Sequence, residues 1–377
     1  VSDPQVKGWC PGAYRPMMSG DGLIVRVRPR LGSIPADKVQ GLCDLSLTHG
    51  NGILDLTNRA NLQMRGVRDH QAVLDGLWDL GLLDPTPELE QRRNIIVAPV
   101  CGPHHVSIAI ADRLITKLNA LPDLPAKFGF VVDADGPRQL SAASGDIRIE
   151  TSVSGGLIVR ADGSDLGQAV TESEVVNAAV ALARWFNETV NPDIRRMAPH
   201  LETTPLPHCF ARETFAPSAP ALTPGPLTNA FAYGVPFGSI DALALKTLLT
   251  RSKAGHMRFA PNRIFILDGA AITDMQAFAT SADDPRLNIH ACPGAPACAS
   301  ASVTTRDAAD ILAPHLKGRS LHISGCAKGC AHRASTDVVA VGRDGAFDLV
   351  RNGHPWDEPL QRGLALDRLA DELELLT

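Results

Sequence analysis

Cys292-Pro-Gly-Ala-Pro-Ala-Cys298 and, further on, Cys326-Ala-Lys-Gly-Cys330 are the stretches whose reading decides this chain. Five residues separate the first pair of cysteines and three the second. Thiolates paired in this way can converge on one inorganic centre, and a set of four serves both structural zinc and iron–sulfur clusters. Zinc knuckles close on gaps of about two to four residues, so the first gap is too wide for a tight knuckle. The spacing favours a [4Fe–4S] cluster on Cys292, Cys298, Cys326 and Cys330, with zinc, a disulfide or unliganded thiols as the alternatives. Gly294, Gly325 and Gly329 let backbone pass close to a bulky group, and the prolines stiffen the first loop.

Upstream, the chain repeats itself. Leu23–Arg28 alternates as a strand, and Gly32–Pro35 turns. Ala36–Thr48 reads as a helix with Val39, Leu42, Cys43 and Leu47 on its apolar face, stopped by Gly50-Asn51-Gly52. Strand-like Ile53–Thr57 and Leu62–Arg65 flank Asn58-Arg59, and Gln71–Leu82 is a second helix. Gly238-Ser239-Ile240 repeats Gly32-Ser33-Ile34 and opens a helix from Asp241 to Arg251, with Gly255 as its stop. Asn262-Arg263 before Ile264–Leu267 echoes Asn58-Arg59, at the same offset of roughly 205 residues. Arg93–Ala98 matches Leu287–Ala291. Asp146-Ile147 leading to Val159–Gly163 matches Asp337-Val338 leading to Val350–Gly353.

These matches in one order predict an internally duplicated α+β fold with two half-domains, each followed by an α/β part. The expected divisions are 1–85, 86–196, a Pro-rich linker at 197–227, 228–286 and 287–377. The linker carries seven prolines and reads as extended chain, and a ligand cleft is expected at the pseudo-twofold joint. Only the second copy carries the four cysteines, which leaves the first free to contribute ligand contacts.

The 377 residues suffice for several domains, and 44% hydrophobic with 20% charged residues is ordinary globular composition. A net charge of −5 and 5% aromatics argue against a nucleic-acid partner. No apolar run is long enough to span a membrane. Cysteines without an export signal at Val1-Ser2-Asp3-Pro4 point to the cytoplasm. Cys10, Cys43, Cys101 and Cys209 lie outside the cluster pattern and read as buried, inert thiols. The first copy gathers Arg26, Arg28, Arg59, Arg65, Arg92, Arg93 and Lys127 at strand ends. A converging set of such forks would suit a ligand with many carboxylates.

The paired cysteines resemble the cluster signature of the sirohaem-dependent sulfite and nitrite reductases. Asp21-Gly22-Leu-Ile-Val-Arg26-Val-Arg28 resembles the first strand of that superfamily, and Thr57-Asn58-Arg59 its Thr-x-Arg tetrapyrrole motif. Arg93-Asn94-Ile95 and Leu124-Pro125-Ala126-Lys127-Phe128 resemble two further motifs. The resemblance implies the reductase-like fold, with ferredoxin-like half-domains. It also implies that Thr57, Asn58, Arg59 and Gln63, with Arg65 beside them, grip tetrapyrrole carboxylates. Arg26, Arg93 and Lys127 would line the face where chemistry occurs, and Cys330 would lie nearest the macrocycle. Two positions depart from the reductases. Gly129 stands where a second lysine is usual, and Asp55 stands where a basic residue is usual. A weaker cationic cage suits sulfite or nitrite poorly.

Gly8-Trp9-Cys10-Pro11-Gly12, the Met18-Ser-Gly-Asp21-Gly22-Leu23 phrase, the Cys292–Ser300 stretch and Ser324–His332 are similar to the precorrin-3B synthase branch of that superfamily. That branch implies a monooxygenase of aerobic cobalamin biosynthesis acting on precorrin-3A and O2. It further implies a [4Fe–4S] cluster, a mononuclear non-haem iron and electrons from NADH through a separate reductase. No dinucleotide fingerprint is present on this chain. The iron's ligands are not legible, with His104, His105, His208, His256, His290, His322 and His332 as candidates. A small sirohaem-dependent sulfite or nitrite reductase is the alternative reading.

Overall fold

The computed structural model describes residues 11–102, 104–269 and 273–375, so Gly8, Trp9 and Cys10 lie outside the described residues. The first half-domain comprises β1 (Met17–Ser19), β2 (Gly22–Val27), β3 (Ser33–Pro35), α1 (Ala36–His49), β4 (Ile53–Leu56), β5 (Leu62–Val67) and α2 (His70–Asp79). The first α/β part follows as α3 (Pro87–Arg92), β6 (Ile95–Val97), α4 (Val106–Thr116), β7 (Phe130–Asp133), β8 (Ile147–Thr151), β9 (Leu157–Ala161), β10 (Gly167–Val170), α5 (Val175–Thr189) and α6 (Met197–Leu201). The second half-domain holds β11 (Gly225–Leu227), β12 (Ala230–Gly234), β13 (Ser239–Asp241), α7 (Ala242–Ser252), β14 (His256–Ala260) and β15 (Ile264–Asp268). The last part holds β16 (Ile289–Ala291), α8 (Arg306–Leu312), β17 (Leu321–Ser324), β18 (Thr336–Arg343), β19 (Ala346–Gly353), β20 (Gln361–Leu364) and α9 (Leu366–Leu375).

The duplication is visible in the four sheets. The first runs β1-β2-β5-β4-β13 and its counterpart β11-β12-β15-β14-β3. The α/β sheets run β10-β9-β8-β7-β6 and, in the same relative order, β20-β19-β18-β17-β16. Each half-domain therefore gives one strand to the other. β13 pairs with β4 through Ile240↔Leu54, and β3 pairs with β14 through Ile34↔Met257. The entry to both exchanged strands has the same backbone. Leu31 and Phe237 take left-handed φ values of 56° and 59°, and Gly32 and Gly238 follow at 72° and 73°. The glycines suit this conformation because they carry no Cβ.

The exchange joins the halves into one core. Val25, Leu42, Leu54 and Met64 from the first copy pack in one cluster with Tyr233, Leu245, Phe259 and Phe265 from the second. α1 contributes Val39, Leu42 and Cys43 to it, and its Ser46 is buried as well. Leu47, expected on that face, is 44% exposed, because the buried stripe continues through Ser46 instead. The helix stops also differ in detail. Gly50 caps α1 as expected, whereas Lys253 at φ 55°, ahead of Gly255, ends α7.

The Pro-rich segment is more ordered than an extended linker. Pro199 sits in the first turn of α6, where its missing N–H costs nothing. Pro226 lies in β11, an edge strand where no ladder bond is demanded of its nitrogen. Between them, Ala219 N–H donates to Arg138 O and Ala216 N–H to Thr151 O, both at 2.9 Å, which ties the segment to the first α/β part. We propose the same division of the chain as above, with the two exchanged strands crossing it.

Ile240 is fully buried at the exchange. Ile240→Ala should cost about 2–5 kcal/mol. Because the core is shared, thermal unfolding followed separately by near-UV dichroism and by hydrogen exchange in α1 and α7 should shift both helices together. Independent shifts would mean that the halves unfold separately.

Candidate functional site

A cavity of about 600 Å³ opens between the first sheet and the cysteine loops. From the first copy it is lined by Asp55, Thr57, Asn58, Gln63 and Arg65. From the second come Asn262, Arg263, His290, Cys292, Arg306, Cys330 and His332. The sheet places its polar wall by register. Arg26 is opposite Gln63, Gln63 opposite Asp55, and Asp55 opposite Ser239, so the four lie in one row on one face.

The cysteine loops are held from both sides. Cys298 N–H donates to Gly294 O at 2.7 Å, and Thr305 Oγ donates to Cys292 O. Gly294 has φ 66°, and a Cβ there would lie 2.5 Å from Thr305 Oγ1. From the first copy, Ser19 Oγ and Gly20 N–H both donate to Ala297 O, at 2.7 and 3.0 Å. Gly325 N–H donates to Cys292 Sγ at 3.2 Å, a contact that a thiolate strengthens. Burial pushes the Cys330 thiol up, and the thiols of Cys292, Cys326 and Cys298 add to the rise while Lys328 opposes it. Cys330 is thus within electrostatic reach of the other three thiols. The donor set fits a [4Fe–4S] cluster, in which each thiolate takes a different corner of the cubane.

A single ion is a different matter. Among the described residues no group of three or more His, Cys, Asp or Glu side chains is disposed to hold a metal ion. The structure does gather three of the candidate histidines. His290 and His332 stack with centroids 3.8 Å apart and planes at 17°, and His322 meets His332 edge-on at 6.1 Å. Stacked rings offer each other faces rather than converging nitrogens. Burial, then Arg263 and the neighbouring histidines, pulls His290 down to about 3, and burial pulls His322 down to about 4. Both nitrogens of His322 are buried without a hydrogen-bond partner. His105 instead caps α4, accepting from Ser107 N–H at 3.2 Å, and His256 lines a separate cavity. Among the described residues, then, these histidines do not converge on a single ion.

The expected ligand-gripping residues divide. Thr57, Asn58, Gln63 and Arg65 line the cavity with Cys292 and Cys330. Arg59 turns towards the first α/β part and donates to Lys127 O and Ser144 Oγ at 3.0 and 3.1 Å. Arg93 is buried in a two-pronged pair with Asp84, at 2.8 and 2.7 Å, away from the cavity. Lys127 is exposed and outside the lining, and Arg26 shares the sheet face without lining the cavity. Of the other cysteines, Cys43 is buried and its thiol is pushed up to about 12 by desolvation, Cys101 is half-buried, and Cys209 is exposed rather than buried.

Two arginines escaped the sequence reading. Arg263 donates to Ile289 O and Leu287 O and is pulled down to about 10 by burial. Arg306, first residue of α8, reaches across the joint to Asp55 at 2.6 Å and to Ser239 Oγ at 2.9 Å. The signal for Arg263 was its echo of Arg59 in the repeat. Arg306 carried no local signal.

The pseudo-twofold also inverts a charge. In the first copy Arg65 of β5 pairs with Asp55 of β4. At the equivalent places Asp268 of β15 pairs with Arg258 of β14. Arg258 there donates to Pro99 O and Cys101 O, holding the cysteine-poor loop of the first copy.

His322 makes a prediction about acid. Its folded pKa lies below the unfolded value of about 6.5, so the unfolded chain binds the extra proton, and stability falls as pH drops from about 6.5 towards 4. His322→Leu should abolish a loss on the order of 1–3 kcal/mol between pH 7 and pH 4. Urea denaturation of both proteins at the two pH values measures it, and an unchanged loss would assign the effect elsewhere.

Three comparisons follow from this geometry. Residues 15–77 match the model of the nitrite/sulfite reductase ferredoxin-like half domain. A curated relative from Sinorhizobium sp., named precorrin-3B synthase, is 31% identical over 384 residues, covering 92% of this chain and 83% of the relative. The solved structure of the Mycobacterium tuberculosis NirA protein superimposes with a TM-score of 0.64 at 18% identity, over 93% of this chain and 79% of that one, a likeness of fold.

Proposed function

Since the chain belongs to the precorrin-3B synthase family, we propose that it is an oxidoreductase of aerobic cobalamin biosynthesis that oxygenates the metal-free tetrapyrrole precorrin-3A. One atom of O2 becomes a hydroxyl at C-20 and the other leaves as water, while the ring-A acetate closes a γ-lactone at C-1. The two electrons and two protons come from NADH and solvent, through a separate reductase. The observation that carries the reading is the cavity itself, where Cys292 and Cys330 face Thr57, Asn58 and Gln63 of the other copy.

Cys292, Cys298, Cys326 and Cys330 would hold the [4Fe–4S] cluster, which supplies electrons singly to a reaction that triplet O2 otherwise performs slowly. The chain's own groups do the rest. Thr57 hydroxyl and the Asn58 and Gln63 amides offer hydrogen bonds to the macrocycle's carboxylates. Arg65 keeps the first sheet docked on the cluster loop, because its guanidinium is shared among Asp21, Asp55, Ser19 and Ala297 O. Burial favours the uncharged form of His290 and His332, which line the cavity with Cys330. Neutral imidazoles there avoid adding charge next to a macrocycle whose pyrrole face is apolar. By resemblance to the superfamily, Arg26 and Lys127 stay in the proposal as groups of the reacting face, whereas the guanidinium groups of Arg59 and Arg93 are committed to Lys127 O, Ser144 and Asp84. No step is assigned to a mononuclear iron. Among the described residues no helix is long and apolar enough to cross a membrane, and the cytoplasmic setting is part of the proposal.

Two measurements test the reading. Protein isolated without air should contain iron and sulfide and show the broad visible absorption of a cluster, and Cys326→Ser should lose it while keeping the far-UV spectrum. Given precorrin-3A, a reductant and isotopically labelled O2, the intact protein should yield product with a single labelled atom. Sulfide formed from sulfite, with no labelled tetrapyrrole, would move the assignment to a sirohaem reductase.

A further inference from the structure

Three arginines line the cavity, and they are not equivalent. Arg65 is consumed by the protein. Nε and Nη2 face both oxygens of Asp21 at 3.2 Å, Nη1 faces Asp55 at 3.2 Å, and Nη2 also reaches Ser19 Oγ and Ala297 O. Arg263 has both Nη groups on backbone carbonyls. Arg306 has one bond from each Nη, to Ser239 and to Asp55, and its Nε–H is buried without a partner. Its remaining Nη hydrogens are unengaged among the described residues, and its side chain is 20% exposed.

Asp21, Arg65, Asp55 and Arg306 form a chain of alternating charge across the joint. Asp55 is the position where the superfamily resemblance led us to expect a cation. An anion there serves to draw a cation from the opposite side. The other copy shows the contrast, for Arg258 occupies the equivalent place and spends its donors on Asp268 and the neighbouring loop.

We propose that Arg306, oriented by Asp55 and Ser239, binds a carboxylate of the tetrapyrrole, so that the cluster-bearing part supplies a cation to the pocket wall facing the first sheet. This rests on the tetrapyrrole reading above. Arg306 is a binding residue and Asp55 a positioning residue. The Asp55 carboxylate has an oxygen for each arginine beside it. An amide in its place has a single acceptor, and its NH2 would confront a guanidinium, so one arginine loses its anchor.

The sign of one substitution separates positioning from bulk charge. Removing an anion from a polyanion's pocket should tighten binding if charge alone mattered. Under the proposal Asp55→Asn weakens it. The experiment titrates the cluster-containing full-length protein with uroporphyrin, a macrocycle bearing acetate and propionate groups, at several ionic strengths. Arg306→Met should raise Kd by roughly 10- to 100-fold, the loss of a charge-assisted hydrogen bond, and should flatten the salt dependence. Arg306→Lys should recover the salt dependence and part of the affinity. Asp55→Asn should raise Kd while the salt dependence persists. Wild-type affinity and salt dependence in Arg306→Met, or tighter binding by Asp55→Asn, would overturn the proposal. Should the unsubstituted protein fail to bind uroporphyrin at all, the tetrapyrrole reading falls instead.

Discussion

The exchange of β3 and β13 is the constraint on which everything else stands. Each is only three residues long and would be a marginal strand alone. Each gains its stability by completing a sheet in the other copy and burying one isoleucine, Ile34 or Ile240, in the common core. The consequence is geometric. The two halves cannot shift relative to one another without breaking a sheet, so a cavity built on residues from both keeps its shape. Preorganisation of this kind lowers the ordering cost of binding.

Upon that frame, duplication supplied two equivalent joints, and polar chemistry made them different. One joint received cysteines and the Asp55–Arg306 pair. The other received Ala98 in the place corresponding to Cys292, and Arg258 in the place of Asp55. Inverting one ion pair across the pseudo-twofold leaves the packing unchanged while changing which loop the arginine grips. Neutral pairing also explains how so many charges are tolerated near the joint, since breaking a buried pair costs far more than forming it contributes.

Much of the fold was legible in the chain. The helix from Ala36, the strands flanking Asn58-Arg59 and the Gly-Ser-Ile repeat all stand where their local patterns put them, because periodicity and turn residues act over a few neighbours. Errors fell where a local pattern met a tertiary decision. Leu47 fits the apolar stripe of α1 but is left half-exposed, because the buried face of the helix runs through Ser46 instead. The prolines of the 197–227 segment ruled out a long helix, yet two short helical turns, Met197–Leu201 and His208–Phe210, and an edge strand fit around them.

The amino-acid sequence by itself determined that four cysteines are grouped in two loops, that the chain is doubled, and which strands flank Asn58-Arg59. Those properties follow from spacing. Only the tertiary structure decided that Arg93 is spent on Asp84, that Arg59 looks away from the cavity, and that Arg306 enters it. A guanidinium's role depends on which acceptors surround it. Those acceptors come from segments far apart in sequence, 251 residues apart for Asp55 and Arg306, so no local pattern can announce the pairing.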